Sequence, residues 1–154
     1  MPDIRIGVIG AGWWAAENHI PVLQSQPGVK VECVCSADPH QLKKVQEKFQ
    51  IPFAMSDYTE LLAHEGLDAV LVSSPNNLHY QHAAAALKLG LPVLCEKPMT
   101  LTSSEAEHLV ELVEGGDTTF LIPYGWNYTE QARLARHEIG SIGEVEHVLC
   151  HMGS

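Results

Sequence analysis

Gly10, Gly12 and Ala15 sit at the end of an apolar run, Ile6-Gly7-Val8-Ile9-Gly10-Ala11-Gly12-Trp13-Trp14-Ala15, with the spacing G-x-G-x-x-A. Small residues at those offsets have separate physical uses. Gly10 permits a tight turn, Gly12 lets the backbone come close to a pyrophosphate, and Ala15 lets the next helix pack against its strand. A helix that starts at such a turn aims free N–H groups and the positive end of its dipole at phosphate. The run therefore reads as a dinucleotide-binding turn. Three small residues in six are common by themselves, so the weight comes from the strand in front and from the residues downstream.

Cysteine and histidine carry less. Cys33, Cys35, Cys95 and Cys150 include no C-x-x-C pair. Cys33 and Cys35 lie two apart in an apolar stretch, so both are expected on one sheet face as small buried hydrophobes. His79 and His82 share a helix face, and His147, Cys150 and His151 cluster near the end. Neither group has ordered ligand spacing, and no metal is expected.

The elements that would position the turn alternate. Strands are expected at Asp3–Ile9, Val29–Ser36, Leu67–Ser73, Pro92–Cys95 and Thr119–Ile122. Helices are expected between them, from Trp13 to about Gln24, Pro39 to about Phe49, near Leu61 and Leu62, Leu78 to Leu89, and Ser103 to about Glu114. Asp38 is placed to cap the Pro39 helix, and Thr102-Ser103-Ser104-Glu105 is a capping box. Ser56 or Asp57 caps the short helix, and Gly90 closes the alanine-rich one. Strands and helices in this alternation imply an α/β fold, a Rossmann-like doubly wound parallel sheet. Ligands in such a sheet bind beyond the strands' carboxyl ends. Gly10–Trp14, Ser36–His40, Ser73–Asn77 and Glu96–Pro98 should therefore converge.

At 154 residues, 45% hydrophobic and 18% charged, the chain is of ordinary globular composition. A net charge of −10, from 19 acidic and 9 basic residues, argues against nucleic-acid or anionic-membrane partners. No run approaches the roughly 20 apolar residues of a membrane span, and no leader is apparent, so a cytoplasmic protein is expected.

The combination of Gly-Val-Ile-Gly-Ala-Gly near the start, Ser74-Pro75-Asn76-Asn77-Leu78-His79 and Cys95-Glu96-Lys97-Pro98 resembles the glucose–fructose oxidoreductase, inositol dehydrogenase and MocA-like family. Ile142-Gly143-Glu144-Val145 is similar to the family's junction into a second domain. The resemblance implies an NAD(P)-dependent oxidoreductase acting on a sugar, cyclitol or related alcohol. It implies that Gly10 to Trp14 hold the pyrophosphate, that Ser74, Pro75, Asn76 and His79 line the dinucleotide path, and that Glu96 and Lys97 reach nicotinamide and substrate. Lys97 would be the catalytic group, its ammonium bonding the substrate oxygen as alkoxide charge appears and burial tuning its proton exchange. Pro98 would hold the loop shape, through a cis bond if need be.

Two departures follow. Family members that use NAD usually end the second strand in an acidic residue, where this chain has Ser36, and Asp38 is committed to its cap. NADP(H) is therefore favoured over NAD(H), with His40, Lys43 or Lys44 to balance a 2′-phosphate. The family's substrate domain, with its D-x-x-x-H pair, is not in this sequence. The division expected is 1–124 as NAD(P)-binding domain and 125–154 as a connecting helix, from about Asn127 to Glu138, and a strand, Glu144 to Cys150, leading into a second domain. The chain itself should show little or no turnover. A stand-alone dinucleotide-binding sensor is the alternative. Tyr124, Trp126 and Tyr128, with Trp13 and Trp14, would contact cofactor, sugar or a partner domain. Exposed in an isolated domain, they would favour a homo-oligomer.

Overall fold

Strands β1 (Ile4–Ile9), β2 (Val29–Cys35), β3 (Phe53–Met55), β4 (Ala69–Val72), β5 (Val93–Cys95) and β6 (Phe120–Leu121) form one parallel sheet in the order β3-β2-β1-β4-β5-β6. The computed structural model describes residues 3–149. From β1 the chain builds outward to β3, then returns to the other side of β1 and builds outward again to β6. The direction reverses between β1 and β4, which is where ligands bind in doubly wound sheets.

Each face of the sheet has its own core. On one face Val8, Val31, Val34 and Leu71 pack with Ala15, Ala16 and Ile20 of the first helix and with Leu42 and Val45 of α2 (Pro39–Phe49). On the other, Ile9, Val70, Val72, Val93 and three cysteines pack with Leu61 of α3 (Tyr58–Leu62), the alanines of α4 (His79–Lys88) and Leu109 of α5 (Ser103–Glu114). Ala83 and Ala86 are fully buried, so α4 lies close against the strands, as its run of alanines suggests.

Cys33 and Cys35 do share a face. A bulge makes the pattern less simple, because Ile6 pairs with Val31 and Gly7 with Cys33, leaving Glu32 as the extra residue. Val31 is thereby turned to the face opposite the cysteines, which Val34 already occupies by ordinary alternation. The Cys33, Cys35 and Cys95 thiols are unpaired and buried. Burial first, then neighbouring carboxylates, pushes Cys33 up to about 12, Cys35 to about 11 and Cys95 to about 12.

The expected caps form. Asp38 Oδ1 accepts the N–H groups of His40 and Gln41, Asp57 accepts from Thr59, and Thr102 with Glu105 completes the capping box. Gly90 takes a φ of +75° at the end of the α4 segment. Strand β3 is not anticipated by the sequence pattern: it is three residues at the sheet edge, too short to show alternation.

The first helix departs from a regular α-helix. After a turn at Trp13 and Trp14, Ala15–His19 is wound as a π-helix, in which the Ile20 N–H reaches the Ala15 carbonyl, before α1 (Ile20–Ser25). Pro21 lacks an N–H for the i→i−4 ladder and its ring crowds the carbonyl four residues back, a conflict that a wider turn relieves.

The described chain divides after Pro123 into two compact units. The second contains a 3-10 turn at Gly125–Tyr128 and α6 (Glu130–Glu138), capped by the Thr129 hydroxyl. Tyr124, Trp126 and Tyr128 are exposed. The strand expected at Glu144–Cys150 is not formed over residues 144–149, and Cys150 lies outside the described residues. A strand needs a neighbouring edge for its N–H and C=O groups, and there is none among the described residues of this unit.

Candidate functional site

Backbone bonds draw the strand ends together. Gly10 N–H donates to the Cys35 carbonyl (2.9 Å), Ser73 N–H to Ile9 (2.8 Å) and Glu96 N–H to Val72 (2.9 Å). The Gln41 side-chain amide adds a bond to the Ala11 carbonyl at 2.9 Å, pinning the glycine turn to the start of α2. The four stretches expected to converge are thus linked.

The two glycines of the turn have different reasons to be glycine. Gly10 has a φ of +104°, and a Cβ there would lie 2.5 Å from the backbone of Ser73 and Ser74. Strand β4 can approach β1 at the switch point only because that atom is missing. Gly12 is exposed, and a Cβ there would meet nothing within 4 Å. The open space beside it, at the start of the helix that begins at Trp13, fits a pyrophosphate.

A pocket of about 240 Å³ opens beside this turn, lined by Trp14, Ser73, Ser74, Asn76, His79, Glu96 and Lys97. Glu96 is its buried anchor, 7% exposed. Its Oε1 accepts from the Trp14 indole N–H and lies equally close to His19 Nε2, each at 2.7 Å, while Oε2 accepts the Lys97 N–H at 3.1 Å. Burial alone would raise the Glu96 carboxyl, but the bonds from Trp14, His19 and Lys97 and the charge of His19 outweigh it and lower the pKa. The π turn makes this arrangement possible. In an α-helix residues five apart point about 140° from one another, whereas a wider turn brings Trp14 and His19 to one side.

Lys97 is exposed rather than buried. Its Nζ lies 5.8 Å from the centre of the Trp14 ring. The Lys97–Pro98 bond is cis.

Helix α4 grips the loop after β4 by two histidines on one face. His79, 1% exposed, faces the Pro98 carbonyl through Nδ1 (2.7 Å) and the Ser74 carbonyl through Nε2 (2.8 Å). It lies at the base of the pocket and ties together the loops after β4 and β5. His82 Nδ1 lies 2.9 Å from the Ser74 hydroxyl. Pro75 and Asn76 are exposed in that loop, Asn76 on the pocket wall where the 3-10 turn Asn76–Leu78 begins.

At the end of β2, Ser36 is half-buried and its hydroxyl accepts the Asp38 N–H at 3.2 Å, leaving its own O–H free to donate. Asp38 spends its Oδ1 on the cap. Trp13 is exposed and its ring tilts against that of Trp14. His19, His82 and Gln41 are the supporting residues that motif spacing does not reveal. Pro21 was the one available signal, since it disturbs the helix that carries His19.

Comparison with known proteins agrees with this geometry. The model of an oxidoreductase family with an NAD-binding Rossmann fold, GFO_IDH_MocA, matches residues 4–123. The chain is 30% identical to a D-xylose 1-dehydrogenase [NADP(+)] of Haloarcula marismortui, over 92% of this chain and 41% of the relative. It is 29% identical to inositol 2-dehydrogenase 1 of Saccharopolyspora erythraea, over 96% and 45% respectively. Among solved structures it is similar to myo-inositol 2-dehydrogenase from Lactobacillus plantarum, with a TM-score of 0.85 and 25% identity over 93% of this chain and 43% of that one. A 3-ketoreductase from Actinomadura kijaniata, in complex with TDP-benzene and NADP, has a TM-score of 0.80 and 28% identity over 90% and 44%. The chain therefore spans less than half the length of these relatives.

Proposed function

The chain belongs to the GFO_IDH_MocA oxidoreductase family, and on that premise we propose that it binds NADP(H) in preference to NAD(H) as the cofactor half of a sugar or cyclitol dehydrogenase. NAD(P) binding follows from the family. The preference rests on Ser36, which stands where an acidic residue would bond the adenine-ribose hydroxyls of NAD, and on Asp38 being held in its cap. A serine puts no charge against a 2′-phosphate and offers its free O–H to it. Lys43 and Lys44 on α2 add positive charge, and His40 lies beside them. The D-xylose 1-dehydrogenase relative carries NADP(+) in its name, and the similar 3-ketoreductase was solved with NADP.

When bound, the nicotinamide supplies or accepts the hydride. The chain's own residues would hold the cofactor and set one charged group beside the substrate. Gly10 to Trp14 receive the pyrophosphate, and Ser74, Pro75, Asn76 and His79 border the path toward Glu96 and Lys97. Glu96 has both carboxylate oxygens engaged inside the fold, so its part is to hold the end of β5. Lys97, exposed above it, is the group free to bond a substrate oxygen and stabilise negative charge there. Residues 125–154 would lead into a substrate domain like that of longer relatives. This chain by itself would bind cofactor and turn over little.

Titration of the chain with NADPH and NADH, followed by tryptophan and nicotinamide fluorescence, tests the reading. Tighter binding of NADPH is expected, and tighter binding of NADH would overturn the preference.

A further inference from the structure

Lys97 is the exposed end of the pocket, and its long side chain has many rotamers to lose before it can act in one place. Among the described residues no carboxylate pairs with its ammonium. What lies within reach is the indole of Trp14, with Nζ 5.8 Å from the ring centre, inside the range of about 6 Å for an ammonium held over an aromatic face.

That ring is not free to turn. Its N–H donates to Glu96 Oε1 at 2.7 Å, and Glu96 is fixed in turn by His19 and by the Lys97 backbone N–H. The same carboxylate therefore sets both the backbone of Lys97 and the plane above which its ammonium rests. We propose that Trp14 is a positioning residue: held edge-on by Glu96, it presents its ring face as the seat for the Lys97 ammonium. The role extends Trp14 beyond phosphate contact, and it rests on Lys97 being the group that meets substrate.

The arrangement explains why an exposed lysine needs no buried counter-ion. A carboxylate partner would bond the ammonium directly and occupy its N–H donors. A ring face attracts the charge while leaving the three N–H groups to point elsewhere. Glu96 contributes through the indole.

The test is a spectroscopic one on the whole chain, with its lysines labelled at the side chain and the Lys97 signals assigned by loss in Lys97→Arg. Protons above an indole face are shielded, so the Lys97 ε-methylene signals should lie upfield of those of the other lysines. In Trp14→Leu they should return to the common position, and in Trp14→Phe, which keeps a ring but loses the N–H to Glu96, they should move part of the way. Lys97 signals that coincide with those of the other lysines in the unaltered chain would overturn the proposal. That comparison needs no variant to fold. NADPH titration is run in parallel. A chain that shows the shift and fails to bind dinucleotide refutes the functional reading, and the role in the reaction with it. A chain that binds without the shift refutes the seat alone.

Discussion

His82 Nδ1 lies 2.9 Å from the Ser74 hydroxyl, so a residue of α4 fixes a side chain at the mouth of the pocket. The ring is buried against Tyr58, 4.5 Å between centroids. Burial, and then the charge of His79, lowers the His82 pKa from 6.5, with Asp57 at the cap of α3 acting in the opposite sense. The neutral ring is thus the form that the fold prefers. The unfolded chain takes up this proton at a higher pH than the folded one. Stability from this source is full above about 6.5 and falls as the pH drops toward the lowered value. Urea midpoints measured between pH 7.5 and 5 should fall more steeply for the unaltered chain than for His82→Gln, which keeps a hydrogen-bonding group without the titration. Parallel pH profiles for the two would show that His82 does not contribute.

Glu96 gives the opposite test. Its carboxyl is held below 4.5, so its contribution is present above that value and is lost as the pH falls through the lowered one. Glu96→Gln keeps the shape but weakens the acceptor for Trp14, His19 and the Lys97 N–H. Hydrogen bonds to charged groups contribute about 1.5–3 kcal/mol each, and partial replacement by the amide oxygen should leave a loss of about 2 kcal/mol at pH 7. Chemical denaturation measures it, and the difference from the unaltered chain should shrink in acid. A gap that stays constant to low pH would place the loss elsewhere.

Gly10 and Gly12 separate folding from binding. Gly10→Ala forces a Cβ to 2.5 Å from the Ser73 and Ser74 backbone at a φ of +104°. The backbone strain alone is of order 1–3 kcal/mol, and the clash adds to it, so a large fall in the unfolding midpoint is expected. Gly12→Ala meets no atom within 4 Å and should fold normally. Its added methyl projects into open space, and dinucleotide affinity should fall by about tenfold or more, roughly 1.4 kcal/mol. Calorimetric unfolding together with NADPH titration distinguishes them. Unimpaired binding by Gly12→Ala would remove the pyrophosphate from this turn.

What the sequence made legible was whatever rested on local chemistry. Asp38 before Pro39, the Thr102–Glu105 box and the alanines of α4 each specify their element within a few residues, and the sheet follows from their alternation. The bulge at Glu32 was hidden because it depends on β1 and β2 pairing out of step, which no single strand records. The bonds from Trp14 and His19 to Glu96 span 82 and 77 residues and require a π turn, so periodicity at 3.6 residues points the two side chains apart. Likewise His79 and His82 share a face in any helical reading, but only the folded loop shows that both meet Ser74. The strand expected after Glu144 failed for a related reason, since its apolar residues are local and its pairing partner is not.

Ser36 is the residue on which cofactor choice should turn. Its hydroxyl accepts the Asp38 N–H and keeps one proton to donate, while the Asp38 carboxylate is engaged with His40 and Gln41. In Ser36→Asp the new carboxylate would stand at the end of β2, able to accept from two ribose hydroxyls and repelling a 2′-phosphate. The backbone bond from Asp38 can be kept, since a carboxylate oxygen also accepts it, so the fold should be little changed. NADPH affinity should fall by about tenfold or more while NADH affinity rises, a reversal of about 1.4 kcal/mol or more in the difference between them. Fluorescence titration with both nucleotides reads it directly. If Ser36→Asp binds NADPH as the unaltered chain does, the adenine ribose lies away from β2. The preference would then have to come from the lysines of α2.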